Sequence, residues 1–311
     1  PGLDIDGKRV ITSDQALNMD YVPKSAIVLG GGVIGCEFAS VWKSFGAEVT
    51  IIEGLPRLVA LEDETSSKQL ERAFRKRKIE FEVGSRFQSH TVNADSVTVN
   101  LENGKTFTAE VLLVAVGRGP VSAGIGYEEQ GLTMDRGYVL VDNKCRTNVP
   151  GVWAVGDLIP TLQLAHVGFQ EGIMVAEEIA GLNPQPINYD GVPRVTYSEP
   201  EVASVGLTTA TAKERGYDIE EISYDLGGNG KSQILKTAGS IKIVQQKGGP
   251  VLGIHMVGDR VGELIGEAQV IYNWQADAQD VAPYIHAHPT MNEAMGEAFL
   301  ALAGKPLHAH G

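Results

Sequence analysis

Gly30, Gly32 and Gly35 stand in the spacing GxGxxG, and Glu53 follows 23 residues after the first of them. That set has the chemistry of a dinucleotide cradle. The first glycine permits a tight turn and the second lets backbone approach a pyrophosphate. The third lets helix and strand pack closely, while the helix N-terminus faces the phosphate charge. The Glu53 carboxylate would accept hydrogen bonds from the adenine ribose hydroxyls and repel a 2′-phosphate, which favours NAD over NADP. Arg57, four residues on, is the group that could instead meet such a phosphate. A second chemical cluster, His286, His288, Pro289 and Glu293, lies near the C-terminus. An HxH pair on a strand can ligate zinc, but no further ligand cluster accompanies it and Pro289 breaks the strand, so no metal is expected. Cys36 and Cys145 have no metal-ligand spacing, are read as inert, and fit a reducing compartment.

A lone GxGxxG is weak, and its weight depends on the elements around it. Here an apolar run at 26–29 precedes the glycines, a helical pattern at 37–45 follows, and a second apolar run at 48–52 ends next to Glu53. This is a βαβ unit. A longer helix is predicted over 63–77, with its basic run from Arg72 to Lys78 as a solvated face. Segments around 81–83, 96–101 and 106–108 suggest an antiparallel meander, and a buried strand at 111–116 closes on Gly117. A strand-like run at 152–155 leads into Gly156 and Asp157, and a helix runs over about 167–180 until Gly181, Pro184 and Pro186 stop it. Runs at 194–197, 240–245 and 251–257 then point to an antiparallel sheet with helices. The expected organisation is a connector over 1–22, an α/β Rossmann-like domain over 23–145, a central segment over 146–192 and an α+β domain over 193–311.

At 311 residues with 43% hydrophobic content the chain can form two or three ordinary cores. Its net charge of −13 argues against a nucleic-acid partner, which clustered Lys and Arg would have to hold. No run approaches the ~20 apolar residues that span a bilayer, so a soluble intracellular protein is expected. His90 and His255 read as structural, and His308 and His310 as part of a mobile tail.

The run Gly30-Gly31-Gly32-Val33-Ile34-Gly35-Cys36-Glu37-Phe38-Ala39 resembles the NAD domain of the two-dinucleotide disulfide oxidoreductases. The resemblance continues in order. Val114-Ala115-Val116-Gly117-Arg118 resembles the strand that ends that domain, and the segment from Thr147 to Asp157 resembles the family's second flavin motif. Leu164-Ala165-His166 is similar to the segment lying against the flavin pyrimidine edge. His286-Ala287-His288-Pro289-Thr290-Met291-Asn292-Glu293 resembles the C-terminal motif, in the two-histidine form of the dihydrolipoamide dehydrogenases.

The resemblance implies that Asp157 binds the ribityl and pyrophosphate portion of FAD, and that His288 is the base whose tautomer Glu293 fixes. Glu37 would lie near the nicotinamide, although an acid there also suits the helix dipole. The implied reaction oxidises protein-bound dihydrolipoamide through a disulfide and FAD to NAD⁺. The implied assembly is a homodimer in which the C-terminal domain completes the partner's site. Lipoyl domains of 2-oxo-acid dehydrogenase or glycine-cleavage complexes would be its partners, in the cytoplasm or the mitochondrial matrix. The family also carries an N-terminal FAD domain with a CxxxxC disulfide, and no such motif stands in these 311 residues. The chain is therefore expected to lack that segment and to be inactive alone. Two other readings stay open: a non-catalytic NAD-binding and dimerising module, and a sister reductase of another small disulfide.

Overall fold

The structure is a computed structural model that describes residues 3–308. It divides into two compact units, one made of Pro1–Gly117 with Pro193–Gly311 and one of Arg118–Val192.

The first unit opens with β1 (Val10–Ile11) and α1 (Ser13–Leu17), then β2 (Ser25–Leu29), α2 (Val33–Ser44) and β3 (Glu48–Glu53). α3 (Glu64–Lys76), β4 (Ile79–Val83), β5 (Phe87–Val92), β6 (Val97–Leu101), β7 (Thr106–Ala109) and β8 (Val111–Val114) follow. A five-stranded parallel sheet has the order β1-β8-β2-β3-β4. Its central strands are near-continuous apolar runs, as both faces are covered. α2 turns Gly35, Cys36, Ala39, Ser40 and Trp42 inward, a helical stripe against the sheet. Asp63 caps α3, its carboxylate accepting from Thr65 N at 2.9 Å.

The second unit holds a small hairpin, β9 (Met134–Asp135) with β10 (Tyr138–Val139), a 3₁₀ turn at Gly156–Leu158 and α4 (Ala165–Ile179). Val139, Cys145, Ala154, Ile159 and Met174 form its core.

From Pro193 the first unit resumes with β11 (Arg194–Thr196), β12 (Glu201–Gly206), α5 (Thr209–Glu214), β13 (Ile219–Asp225) and α6 (Gly230–Leu235). β14 (Ser240–Gln246), β15 (Val251–Gly258), α7 (Val261–Asn273), α8 (Ala278–Val281) and α9 (Asn292–Leu302) complete it. The antiparallel sheet β11-β12-β15-β14-β13 packs against helices through Ile241, Ile243, Ile254, Met256, Leu264, Ala268 and Phe299. A buried polar joint ties this domain to the start of α3. Arg194 Nε lies 3.2 Å from Glu62 Oε1, Lys242 Nζ lies 3.1 Å from Asp63 Oδ1, and the Ser204 hydroxyl donates to Glu62. Burial works to raise the Asp63 carboxyl, but His255, backbone donors and Lys242 hold it well below the usual carboxylate range. Removing one partner of such a pair costs about 3–5 kcal/mol, because it leaves a buried charge alone.

Several expectations need correction. The presumed connector contributes a strand: Val10 and Ile11 are buried and pair in parallel with β8, in a run too short to show a period. The meander is β5-β6-β7, and β4, expected to belong to it, runs parallel to β3 as a sheet edge. Residues 152–155 form no strand, only the isolated bridge between Arg146 and Trp153. Arg77 is not a solvated charge; its guanidinium donates to Ser40 Oγ at 2.7 Å and to Glu199 O at 2.8 Å. His308 is not free, since its backbone N–H and Nδ1 both lie 2.9 Å from the Glu297 carboxylate. His310 lies outside the described residues.

Candidate functional site

The glycine turn is dictated by backbone collisions. Gly30 has φ of +113°, and a Cβ there would stand 2.3 Å from Ala115 O on the neighbouring strand end. A Cβ on Gly35 would stand 1.9 Å from Gly30 O. Gly32, the N-cap of α2, has nothing within 4 Å of that position, so open space lies over the helix N-terminus where a pyrophosphate would approach. Gly31, not singled out from the sequence, is also constrained, because a Cβ there would meet Leu58 at 2.6 Å. The triple glycine was the available signal.

Glu53 ends β3 with its carboxylate already aimed. Gly31 N donates to Oε2 at 2.6 Å and Leu55 N donates to Oε1 at 2.7 Å. Arg57 faces elsewhere: its guanidinium donates to Glu62 O at 2.8 Å and Ala60 O at 2.6 Å. Glu37 lies on the first turns of α2, where its Oε1 accepts from Tyr197 N at 2.8 Å. Burial raises its carboxyl above the ordinary value, and that hydrogen bond works against the rise. Gly117 follows β8 with φ of +137° and open space at its Cα.

In the second unit Asp157 is exposed in the Gly156–Leu158 turn, while Leu164 caps α4 and Ala165 and His166 form its exposed first turn. Glu171, missed from the sequence, pins this segment. Its fully buried carboxylate accepts from Gly156 N at 2.6 Å, Thr161 Oγ1 at 2.8 Å and the Tyr189 hydroxyl at 2.9 Å. The exposed aspartate and the open helix start thus sit on a rigid base, a fit for a polar phosphate-bearing cofactor.

At the C-terminal motif, His288 Nδ1 lies 2.7 Å from Glu293 Oε1. A carboxylate accepts only, so Nδ1–H donates, and in the neutral ring the lone pair then falls on Nε2. Thr290 N donates to Glu293 Oε2 at 2.8 Å, and the His288–Pro289 peptide is cis. Burial works to raise the Glu293 carboxyl, but the bonds from Thr290 and His288, with the charges of His288 and His308, bring it below the ordinary value. The His288 side chain is 76% exposed and that of His286 only 11%. Among the described residues no group of three or more His, Cys, Asp or Glu could hold a metal. Both cysteines are buried and unpaired. Burial pushes the Cys145 thiol up to about 12, with Glu171 and Asp142 adding to the rise. Burial raises Cys36 as well, helped by Glu53 and Glu37. Neither forms a thiolate near neutral pH.

Residues 1–172 match the family described as pyridine nucleotide-disulphide oxidoreductase, and residues 192–299 match its dimerisation domain. The chain belongs to the pyridine nucleotide-disulphide oxidoreductase family. It is 40% identical to a dihydrolipoyl dehydrogenase of Bacillus subtilis over 99% of this chain and 66% of the relative. It is 41% identical to the mitochondrial dihydrolipoyl dehydrogenase of Schizosaccharomyces pombe, over 99% of this chain and 62% of the relative. The fold matches that of LpdA from Mycobacterium tuberculosis with a TM-score of 0.90 at 27% identity, covering 97% of this chain and 66% of that one. The chain therefore spans just under two thirds of the length of these curated relatives.

Proposed function

We propose that this chain supplies the nicotinamide-binding half and the base of an NAD-linked dihydrolipoamide dehydrogenase. The observation that carries the reading is the 2.7 Å His288–Glu293 pair on an exposed loop, in a chain that also holds a dinucleotide turn whose Gly31 N–H meets an acid at the end of β3.

A dithiol near its free pKa of ~8.5 is a poor nucleophile, and a positioned base contributes about 10²–10⁴-fold to forming the thiolate. His288 Nε2 takes the thiol proton while Nδ1–H keeps donating to Glu293, whose charge stabilises the imidazolium. The thiolate then attacks one sulfur of the enzyme's disulfide and expels the other as a thiolate. The second substrate thiol resolves the mixed disulfide, closing the substrate disulfide and leaving the enzyme dithiol. Cys36 and Cys145, buried and held as thiols, cannot provide that disulfide. Asp157, with Leu164, Ala165 and His166 at the start of α4, would hold FAD, which when bound supplies two-electron transfer between dithiol and nicotinamide. Gly30, Gly32, Gly35 and Gly117 would line the NAD site, with Glu37 on its nicotinamide side and Glu53 reading the ribose. The side chain of Arg57 is already engaged, which supports NAD over NADP.

On the same reading the NAD-binding part runs to Gly117 and includes β1, Arg118–Val192 is the flavin-contacting unit and residues 193–311 are the dimerising domain. Exposed Tyr284 and Ile285, just before the His288 loop, suit burial by a second copy, so the functional assembly is a homodimer that shares its sites. Lipoyl domains of 2-oxo-acid dehydrogenase or glycine-cleavage complexes are its partners, and the cytoplasm or mitochondrial matrix its place. Among the described residues no helix is long and apolar enough to cross a membrane.

The test is a coupled assay on the oxidoreductase carrying this chain together with a disulfide-bearing segment. Dihydrolipoamide should reduce NAD⁺ in strong preference to NADP⁺, and glutathione should not replace the substrate. No turnover alongside intact NADH binding would instead favour the non-catalytic module, a reading that the two buried cysteines support for the chain by itself.

A further inference from the structure

Two residues before His288 stands a second histidine–carboxylate pair that the proposed chemistry does not use. His286 Nε2 lies 2.8 Å from Glu267 Oε1, and the other Glu267 oxygen accepts from Asn292 Nδ2 at 2.7 Å. Glu267 stands on α7, and Asn292 is the first residue of α9, adjacent to Glu293. One carboxylate therefore grips both ends of the loop that displays His288. The His286 ring also lies against Gly296: a Cβ there would stand 2.5 Å from His286 Nδ1, so the glycine is the space into which the ring fits.

We propose that Glu267, acting through His286 and Asn292, is a positioning residue that sets the His288–Glu293 geometry. This rests on reading His288 as the base. Apart from the bonds of His288 and Thr290 to Glu293, the loop has few other restraints among the described residues. Thr290 Oγ1 donates to Ala287 O at 2.6 Å and Asn229 Nδ2 donates to Thr290 O at 3.0 Å, while Tyr284 and Ile285 just before it are exposed. An exposed base loop without a clamp would sample many placements of the ring, and a misplacement of about 1 Å costs about 10²-fold in rate. The charge states agree with a clamp. The bond to Glu267 raises His286 above its ordinary value against the pull of burial. Burial works to raise Glu267, but its bonds from His286 and Asn292 hold it below the carboxylate value. An ionised, partly buried carboxylate bonded through both oxygens is a strong anchor for a loop, because charge-assisted hydrogen bonds are stronger than neutral ones.

The test is NMR of this chain with ¹⁵N-labelled histidines, reading the two ring nitrogens of His288. In the unaltered chain Nδ1 should be the protonated, strongly hydrogen-bonded nitrogen. Glu267→Ala should shift both nitrogens to the averaged values of a free imidazole, whereas Glu267→Gln, which still offers a carbonyl oxygen to His286, should keep the bonded signature. Gly296→Ala displaces the His286 ring without removing a charge and should also lose the signature, which covers the case of a poorly folded Glu267→Ala. In the oxidoreductase itself, Glu267→Ala should lower kcat for dithiol oxidation by about 10²-fold. An unchanged His288 signature in Glu267→Ala or Gly296→Ala, whatever happens to the melting temperature, would overturn the proposal. Failure of the base reading shows separately, as undiminished dithiol oxidation by His288→Gln.

Discussion

The turn at residues 30–35 and the loop at residues 286–293 each fix the position of groups that the proposed chemistry needs, by opposite means. In the turn the backbone does the placing: glycines are required because a Cβ would strike Ala115 O or Gly30 O. In the loop side chains do it, through the Glu267 and Glu293 carboxylates and the donors Asn292 and Thr290. The difference decides how each can fail. Steric placement is all-or-none, whereas hydrogen-bonded placement degrades by degrees and tolerates isosteres.

The largest effect follows from Gly35. Gly35→Val puts side-chain atoms where Gly30 O already sits, and should cost more than ~3 kcal/mol and abolish NADH binding along with the melting transition of the first unit. Gly32→Ala is its control. Nothing stands within 4 Å of the added methyl, so the fold should persist while NADH binding, read by fluorescence titration, weakens. Equal melting temperatures for the two variants would break the contrast. Next in size, Glu53→Arg removes the acceptor pinned by Gly31 N and Leu55 N and offers a cation in its place. The preference for NADH over NADPH should fall by about 10²-fold, roughly two steps of 1.4 kcal/mol. An unchanged ratio of dissociation constants would show that Glu53 does not read the ribose.

Legibility in the sequence followed the same divide. The glycines and Glu53 act through local backbone and fixed spacing, so their arrangement could be anticipated from a single stretch. Glu267 is 19 residues upstream of His286, on α7, and Glu171 reaches back 15 residues to Gly156. No local pattern announces either acid, and both look like ordinary helix-surface residues until the fold brings their partners in. The misread elements have similar causes. β4 has the sequence IEFEV, an alternation that suggests a half-solvated antiparallel strand, yet as an edge of a parallel sheet it is half-exposed for a different reason. Within residues 152–155 only Ala154 and Val155 join the core of the second unit, while Val152 is exposed, and the segment lacks the pairing that makes a strand. Arg77 sits in a basic run, and only the tertiary approach of Glu199 reveals it as a tether.

In the proposed reaction His288 is the proton acceptor for dithiol oxidation and has no part in nicotinamide chemistry. The direct measurement is the rate of each half-reaction in His288→Gln within the oxidoreductase that carries this chain. Dihydrolipoamide-driven reduction should fall by about 10²-fold or more, while NADH-driven reduction of an artificial electron acceptor stays near that of the unaltered protein. Equal rates of dihydrolipoamide oxidation in the two proteins would contradict the account.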